Sequence, residues 1–514
     1  MGLTETQTAR ALRMSTIDGA LATIMASLAG GIFLVGFALN VLGATTVQVG
    51  ILAALPVSAN LAQLFGSIFI EMFGRRRLLC IVAVIAGRLM WIPVILLPLA
   101  MFDAWSDLRV WLLVLMVGLS CLLGAVSGVA WLEWMSDVIP SNIRGSYLGR
   151  RNMVCAAAGM VVVLAGGAFL NAWEQQNGKQ DPWGYIILFA VGLALGLASA
   201  WFLIAVPDPK DRRQDDRPPF RLQTFAGPFR DRNFLSLVIY VGAFMFVTQL
   251  AGPFYSVYMI EELSVDFATI TWFITFATVA SLFMLRIWGP ISDQMGNKPV
   301  MIVAGAAHAL IPLVWVIAQP AGYYWPLVLA HVLSGVFYCA LTLAQINILI
   351  KLAPESGRSV YIAVFNAAIG LAVAVAPITG GWLLEWMKDF SWVAGDFRLT
   401  NLHLLFLISG SLQLIVLLAI IRVHEVGSVA PGAVIMQLRN DLDPQTGLAS
   451  ATDFVTVKAG ETTGFLRTLD RHTDDWADRS ERAIAAWLDR LEKPLERPLR
   501  AFRTLTGKDE LWNQ

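Results

Sequence analysis

The stretch IPSNIRGSYLGRRN, residues Ile139–Asn152, is a polar segment with three arginines between two long apolar runs. A similar stretch, APESGRSVYIAVFN, occupies Ala353–Asn366 in the second half of the chain. Shared apolar composition makes matches of Leu, Ala and Gly common, but it does not explain matches of rarer residues. With an offset of 214 the aligned pairs are Pro140 with Pro354, Arg144 with Arg358, Tyr147 with Tyr361, and Asn152 with Asn366. The pattern predicts that the chain contains a duplicated unit.

A second register, with an offset of 222, covers the start of each half. LAGGIF from Leu28 aligns with LAGPFY from Leu250, and EMFGRR from Glu71 aligns with DQMGNK from Asp293. Further along, Gly166 and Gly167 align with Gly380 and Gly381 in the first register. The Pro377-x-x-Gly-Gly sequence around the second pair predicts a kink or a close helix contact.

The composition indicates an integral membrane protein. The chain is 57% hydrophobic and only 14% charged, whereas soluble domains have about 25% charged residues. Charged clusters separate apolar runs of about 20 residues, the length that crosses a hydrocarbon core of about 30 Å. We therefore predict an all-α, multi-pass protein with twelve spans, numbered 1 to 12 in chain order: about 19–42, 46–70, 78–100, 108–135, 153–172, 184–206, 234–259, 267–289, 299–319, 326–350, 359–384 and 402–421.

The distribution of Lys and Arg predicts the orientation. With the N-terminus in the cytoplasm, the outer loops hold only Arg109, Lys179, Lys388 and Arg398, and the inner loops hold sixteen basic residues. This bias places both termini inside. The formal net charge of zero gives no reason to expect a nucleic-acid partner.

The predicted organisation has four parts. Residues 1–206 and 234–424 form two six-helix bundles, residues 207–233 form a proline-rich cytoplasmic loop, and residues 425–514 form a cytoplasmic tail. The first part of the tail shows no sustained period. Its later part carries an apolar stripe on a charged helix. This helix either lies on the inner leaflet or covers the cytoplasmic mouth of the pathway, or it is a soluble helix that frays. The stripe comprises Ile484, Trp487, Leu488, Leu491, Leu495, Leu499 and Phe502.

Two loop motifs carry a resemblance to a known family. GPISDQMGNK after span 8 contains Gly289, Asp293, Gly296 and Lys298, and SIFIEMFGRR after span 2 is a more divergent copy. With twelve spans in two halves, the chain resembles the major facilitator superfamily of secondary transporters over residues 15–424. The resemblance implies two pseudo-symmetric bundles that enclose a substrate site near the midplane of the bilayer. The missing arginine in span 4 leaves the subfamily unassigned.

The resemblance also implies a cytoplasmic gate, in which acids and arginines at span ends pair with the opposite half. Glu71, with Arg75 and Arg76, would face the region of Arg358, and Asp293 would face Arg144. The alternative is that these residues only set the topology and bind headgroups, which we favour for Arg77, Arg150 and Arg151. The predicted gate residues are Glu71, Arg75, Arg76, Arg144, Asp293, Lys298 and Arg358.

Two ionisable residues lie within the spans. A charged side chain at the centre of a membrane helix costs at least about 2.5–3.5 kcal/mol of insertion free energy, so each of the two is expected to have a structural or functional role. Arg88 in span 3 either reaches into a cavity or pairs with a buried acid, and Glu133 in span 4 is the nearest candidate by sequence. Both interpretations remain open.

Polar residues in span 10 recur at helical spacing and form one stripe, which favours a helix facing a wet cavity. The stripe consists of His331, Ser334, Tyr338, Thr342 and Gln345. In the superfamily spans 1, 4, 7 and 10 line the pathway, so Gln249 and Tyr255 of span 7 are further candidates. Such an amphiphilic cavity suits an uncharged or moderately apolar organic solute better than a polyanion.

We therefore expect a secondary transporter of a small organic solute, monomeric, in a bacterial inner (plasma) membrane. Proton coupling is a hypothesis, with Glu133, His308 and His331 as candidate groups. The alternative function is a transport-inactive sensor or scaffold that acts through the tail, whose partner is unknown. The sequence contains no phosphate loop, metal cluster or nucleophile elbow, so we expect neither an enzyme nor a bound cofactor or metal.

Overall fold

The computed structural model describes residues 4–61, 76–99, 106–140, 143–207, 226–354, 358–395 and 397–441. Within these ranges the chain is helical apart from one hairpin, Ser391–Ala394 paired with Phe397–Thr400. All the spans belong to one compact unit, Met1–Ile435. Among the described residues, eleven helical segments are long and apolar enough to cross a bilayer: Thr6–Val41, Arg76–Leu99, Leu108–Val138, Tyr147–Asn177, Trp183–Ile204, Arg232–Glu262, Phe267–Met295, Asn297–Ile317, Tyr324–Leu352, Val360–Trp386 and Asn401–Arg422.

The prediction of an all-α, multi-pass membrane protein is confirmed, and the count of twelve spans stays a prediction. At the position of span 2 the helix Thr46–Leu61 is described, and the remainder of the predicted span lies outside the described residues. Span 1 starts earlier than predicted, because its helix begins at Glu5 rather than near residue 19. Thr4 and Gln7 form a capping box at this start, which satisfies free backbone donors at the helix N-terminus.

Spans 1 and 7 are both interrupted at the position where LAGGIF aligns with LAGPFY. The first helix of span 1 ends at Leu28 and resumes as Gly31–Gly36, and that of span 7 ends at Ala251 and resumes as Phe254–Val257. Gly31 has a positive φ of 51°, which a residue with a β-carbon rarely adopts. Each resumed helix then runs into a π-helical turn, Phe37–Val41 or Tyr258–Glu262. The two halves thus share a local irregularity as well as sequence.

Spans 3 and 9 also break at corresponding places. The helix Arg76–Leu89 is followed by Trp91–Leu96, and Asn297–Ala309 is followed by Ile311–Ile317. A proline near the start of each second segment, Pro93 or Pro312, lacks the N–H needed to continue the preceding helix. Spans 5 and 11 begin at the aligned residues Arg144 and Arg358.

The remaining helices are single segments or short caps of the spans. Their bounds are Ser106–Val138 for span 4, Trp183–Ile204 for span 6, Phe267–Met295 for span 8, Tyr324–Leu352 for span 10 and Asn401–Leu417 for span 12, with short helices at Leu97–Leu99, Ala226–Arg230, Leu418–Arg422 and Pro431–Asp441. The helix Pro431–Asp441 lies in the first part of the tail, where the sequence shows no sustained period. The apolar stripe predicted for residues 484–502 lies outside the described residues.

Consecutive spans alternate in direction, which gives the bundle two ends. We call the end with Glu5 and Ile139 the proximal end, and the end with residues 42–46 and 263–267 the distal end. The largest interface between the halves joins span 2 to span 11, and a second joins span 5 to span 8.

Candidate functional site

The two halves touch through glycines near the distal end. Gly50 of span 2 lies so close to span 11 that a β-carbon there would overlap the carbonyl oxygen of Pro377. In return, a β-carbon at Gly381 would lie 2.8 Å from the carbonyl oxygen of Thr46. The Pro-x-x-Gly-Gly sequence of span 11 therefore makes a close helix contact, as predicted.

The second interface between the halves uses the aligned glycine pair of span 5. A β-carbon at Gly167 would lie 2.5 Å from the hydroxyl of Thr271 and 2.9 Å from the carbonyl oxygen of Phe267, both in span 8. The ring of Phe267 also packs against Phe33 and Tyr185 of the first half, at centroid distances of 6.2 and 6.1 Å. Buried aromatic rings thus lie beside the glycine contact near the distal end of the bundle.

A buried charge cluster joins spans 1, 3 and 6 in the proximal half. The hydroxyl of Ser199 donates to Asp18 Oδ1 at 2.7 Å and accepts from Arg88 Nη2 at 2.8 Å. The Arg88 and Asp18 side chains are 10% and 8% exposed, and Nη2 lies 4.0 Å from Oδ1. Ser199 therefore bridges an ion pair, which lowers the cost of burying both charges.

This cluster corrects the partner considered for Arg88, because the acid beside it is Asp18 rather than Glu133. Sequence reasoning missed Asp18 because span 1 was expected to start at residue 19. The signal was present in the helix-forming sequence before it, with the Thr4 capping box at its start. Glu133 is half-buried in span 4 and takes part in other contacts.

A wide-open cavity of about 460 Å³ lies next to Asp18, between spans 1 and 5. Gly19, Thr23 and Ser27 line it from span 1, and Arg151, Asn152 and Cys155 line it from span 5. Its volume falls in the range of small-molecule sites, about 300–1,000 Å³. Ser27 lies in span 1, which was expected to line the pathway, whereas Arg151 was expected only to set the topology and bind headgroups. The other lining residues were not singled out by the sequence.

The Arg151 side chain is held in place by several contacts. Its Nε donates to the carbonyl oxygen of Ser15 at 3.2 Å, and its guanidinium carbon lies 4.3 Å from the centre of the Trp131 ring. A β-carbon at Gly19 would overlap the guanidinium group, so this glycine provides the space it occupies. The charge is thus fixed against span 1.

The predicted polar stripe of span 10 lies on the helix Tyr324–Leu352, but its members differ in environment. His331 Nδ1 donates to the carbonyl oxygen of Leu327 at 2.8 Å, and its ring packs 5.3 Å from both Phe273 and Trp315. Ser334 and Thr342 are half-buried, and the Thr342 hydroxyl bonds to carbonyl oxygens of its own helix. Tyr338 is 38% exposed, whereas Gln345 is buried and its Nε2 has no hydrogen-bond partner among the described residues.

The span 7 candidates separate in the same way. The Tyr255 ring stacks on Trp315 at 4.4 Å and lies 4.7 Å from Phe406, so it is a packing residue in the described conformation. Gln249 is half-buried and lies at the helix break. Sequence reasoning missed the neighbouring His403, whose Nε2 lies 2.9 Å from the Tyr258 hydroxyl. Whether these residues contact a solute stays a prediction.

The predicted gate is described only in part. Glu71 and Arg75 lie outside the described residues, and the side chains of Arg144 and Arg358 are not described. Arg76 Nη1 lies 2.5 Å from Asp137 Oδ2 of its own half, and Asp293 is exposed. The gate as a whole stays a prediction.

Lys298 takes part in a cluster around Glu425, which follows span 12. Glu425 accepts hydrogen bonds from Asn297 Nδ2 at 2.7 Å, from the Lys298 backbone N–H at 2.6 Å and from Lys351 Nζ at 2.9 Å. Lys298 Nζ donates to the carbonyl oxygen of Val423 at 2.7 Å. Burial would raise the pKa of Glu425, but the hydrogen bonds outweigh it and hold the pKa below its ordinary value.

Known proteins similar to the chain show the same architecture. A mutant of the nucleoside transporter NupG covers 81% of this chain and all of its own at 13% identity, with a TM-score of 0.62. A D-xylose–proton symporter covers 80% of this chain and 96% of its own at 15% identity, with a TM-score of 0.57. An inward-facing bacterial homologue of the lysosomal transporter Spinster covers 85% and 99% at 15% identity, with a TM-score of 0.55. At these identities the likeness establishes the fold.

Sequence comparison also finds a relative over a shorter part of the chain. A stretch of 126 residues is 28% identical to azole resistance protein 1 of Saccharomyces cerevisiae, covering 24% of this chain and only 20% of the yeast protein. The profile of the Major Facilitator Superfamily matches residues 19–255 and 237–436, and the chain belongs to that family. Membership of this family indicates a membrane transport protein rather than an enzyme.

Proposed function

We propose that this protein is a secondary active transporter that moves a small organic solute by alternating access. The observation that carries the proposal is the pair of glycine-mediated contacts between the halves near the distal end. A carrier has to close one side of its pathway while the other is open, and crossings without side chains permit tight closure. In this proposal, the described conformation is the one in which the pathway is closed at the distal end.

The proposal includes a topology. Residues 1–206 and 234–424 form the two bundles of six spans, with span 2 completed by residues after Leu61. Both termini face the cytoplasm, because the Lys and Arg residues concentrate in the loops on that side. In this orientation the distal end is the outer end, and the proposed state is inward-facing. The tail from residue 425 lies in the cytoplasm.

Proton coupling is part of the proposal. Asp18 and Glu133 are carboxyl groups in the helices of spans 1 and 4, and His308 and His331 lie in spans 9 and 10. A carrier coupled to protons needs a titratable group that both sides of the membrane reach in turn. The flux of candidate solutes into liposomes that contain the protein, measured with and without an imposed proton gradient, tests proton coupling. Equal flux under both conditions would remove proton coupling and leave the transporter assignment intact.

Spin-label distances test alternating access without knowledge of the solute. In a background with the four native cysteines replaced by Ala, one label pair is placed distally at Asn177 and Ser264, and another proximally at Arg150 and Gln294. All four side chains are exposed. We expect two distance populations at each end, with the short distal distance accompanying the long proximal one. A single population at both ends, unaffected by a metabolite panel, would contradict alternating access and favour a transport-inactive role.

A further inference from the structure

The cavity beside Arg151 has the donors of an anion site. The guanidinium uses only Nε in the hydrogen bond to Ser15, and among the described residues Nη1 and Nη2 have no acceptor. The exposed amide of Asn152 likewise makes no hydrogen bond there. A guanidinium presents paired N–H groups that match the two oxygens of a carboxylate.

Asp18, Arg88 and Arg151 together carry two positive charges and one negative charge. Asp18 interacts electrostatically with both Arg88 and Arg151, so one carboxylate lies near two guanidinium groups. Its oxygens already accept from Ser199 and face Arg88, whereas Arg151 lines the cavity. The cavity lining contains one cation and no carboxylate among the described residues. An uncompensated positive charge at a partly buried site favours an anionic ligand.

The surroundings of Arg151 indicate a built site rather than a surface charge. The Trp131 ring packs against the guanidinium, and Gly19 leaves the space it needs. Ser15 is fully buried, and within the part of the chain that the structure describes its hydroxyl has no hydrogen-bond partner. Arg150, the adjacent residue, has the same charge but is exposed and does not line the cavity.

We propose that this cavity binds the oxyanion group of a small organic anion, with Nη1 and Nη2 of Arg151 and the amide of Asn152 as donors. The inference rests on the proposed transport function and narrows its small organic solute to an organic anion, in place of the uncharged or moderately apolar solute expected from the sequence. A free carboxylate and an anionic lipid headgroup share this chemistry, and nanodiscs with and without phosphatidylglycerol distinguish the two sources.

The first test measures the melting temperature of the full-length protein in nanodiscs of phosphatidylcholine alone. Acetate and benzoate are compared with acetamide and benzamide, their neutral counterparts, at constant ionic strength. We expect the anions to raise the melting temperature of the wild type in a concentration-dependent manner, because binding to the folded state stabilises it. The amides should leave it unchanged.

Three variants connect the effect to the cavity. Arg151→Gln should lose the stabilisation by anions, and Gly19→Ala should lose it while retaining the charge, because the new β-carbon displaces the guanidinium. Arg150→Gln is the matched control and should retain it. Stabilisation of Arg151→Gln equal to that of the wild type, or no stabilisation of the wild type by either anion, would overturn the proposal.

Alkylation of Cys155, which lines the same cavity, gives a local measurement. At about three times the dissociation constant three-quarters of the sites are occupied, so benzoate should slow modification of Cys155 about fourfold. Cys121 is the internal control. Nanodiscs that contain phosphatidylglycerol distinguish the source: protection of Cys155 by that lipid, with none by benzoate, would contradict a solute site. The spin-label distances do not depend on these results, so transport and anion binding fail separately.

Discussion

Tyr147 and Tyr361 lie 214 residues apart and make equivalent contacts, each with the first helix of its own half. The Tyr147 hydroxyl donates to the carbonyl oxygen of Leu12 at 3.1 Å, and the Tyr361 ring packs edge-on against Phe234 with centroids 4.7 Å apart. Leu12 and Phe234 are themselves related by the offset of 222 that aligns the starts of the halves. The duplication is therefore conserved in tertiary contacts even where the chemistry of the contact differs.

This difference in chemistry gives a matched pair of variants. Tyr147→Phe removes a hydrogen bond to Leu12 and should lower the free energy of unfolding by about 1 kcal/mol. Tyr361→Phe keeps the ring contact with Phe234 and should change the free energy of unfolding by less than half as much. Chemical denaturation in mixed micelles measures both. Equal losses for the two variants would show that the hydroxyl of Tyr147 has no special role.

The buried ion pair predicts a strongly non-additive double-mutant cycle. Arg88→Met leaves Asp18 buried without its cation and should destabilise the protein by about 3–5 kcal/mol. Asp18→Asn in the same background removes the unpaired charge, and the double variant should recover a large part of the loss. The free energy of unfolding of the two single variants and the double variant measures the coupling. Additive effects would show that the two side chains do not act as a pair.

The distal contacts predict that small residues at the crossings set the conformational equilibrium. Gly50→Ala places a β-carbon against the Pro377 carbonyl and should shift the population toward long distances between labels at Asn177 and Ser264. Gly124→Ala is the control, because its β-carbon meets no atom within 4 Å. A Gly50→Ala distribution that matches the control would argue against a closure made at this crossing.

The Glu425 cluster predicts a dependence of stability on pH. Because the pKa of Glu425 is held below its ordinary value of 4.5, its stabilising effect is present above that value and is lost as the pH falls through the lowered pKa. The melting temperature of the wild type should therefore approach that of Glu425→Gln as the pH falls below 4.5, and exceed it at neutral pH. A constant difference across this range would exclude a contribution from the carboxylate charge.

Much of the fold follows from the sequence alone. Apolar runs of about 20 residues fix the spans, since lipid leaves backbone groups no partner outside a helix. The aligned Pro, Arg, Tyr and Asn residues of the two stretches identify the duplication, and the structure starts the helices of spans 5 and 11 at the aligned arginines. Glycines and prolines lie where spans 1, 3, 7 and 9 break, but Pro290 and Pro377 lie inside unbroken helices, so these residue types alone do not locate the breaks.

Only the tertiary structure decided which polar groups meet. Asp18 and Ser199 are 181 residues apart, and no periodicity in the sequence predicts that both lie beside Arg88. Arg150 and Arg151 are adjacent residues of the same type. Because they lie on different faces of the helix, Arg150 is exposed, whereas Arg151 lines the cavity beside Gly19. Spacing along a helix defines a face, but the packing of neighbouring helices decides whether that face meets lipid, protein or a cavity.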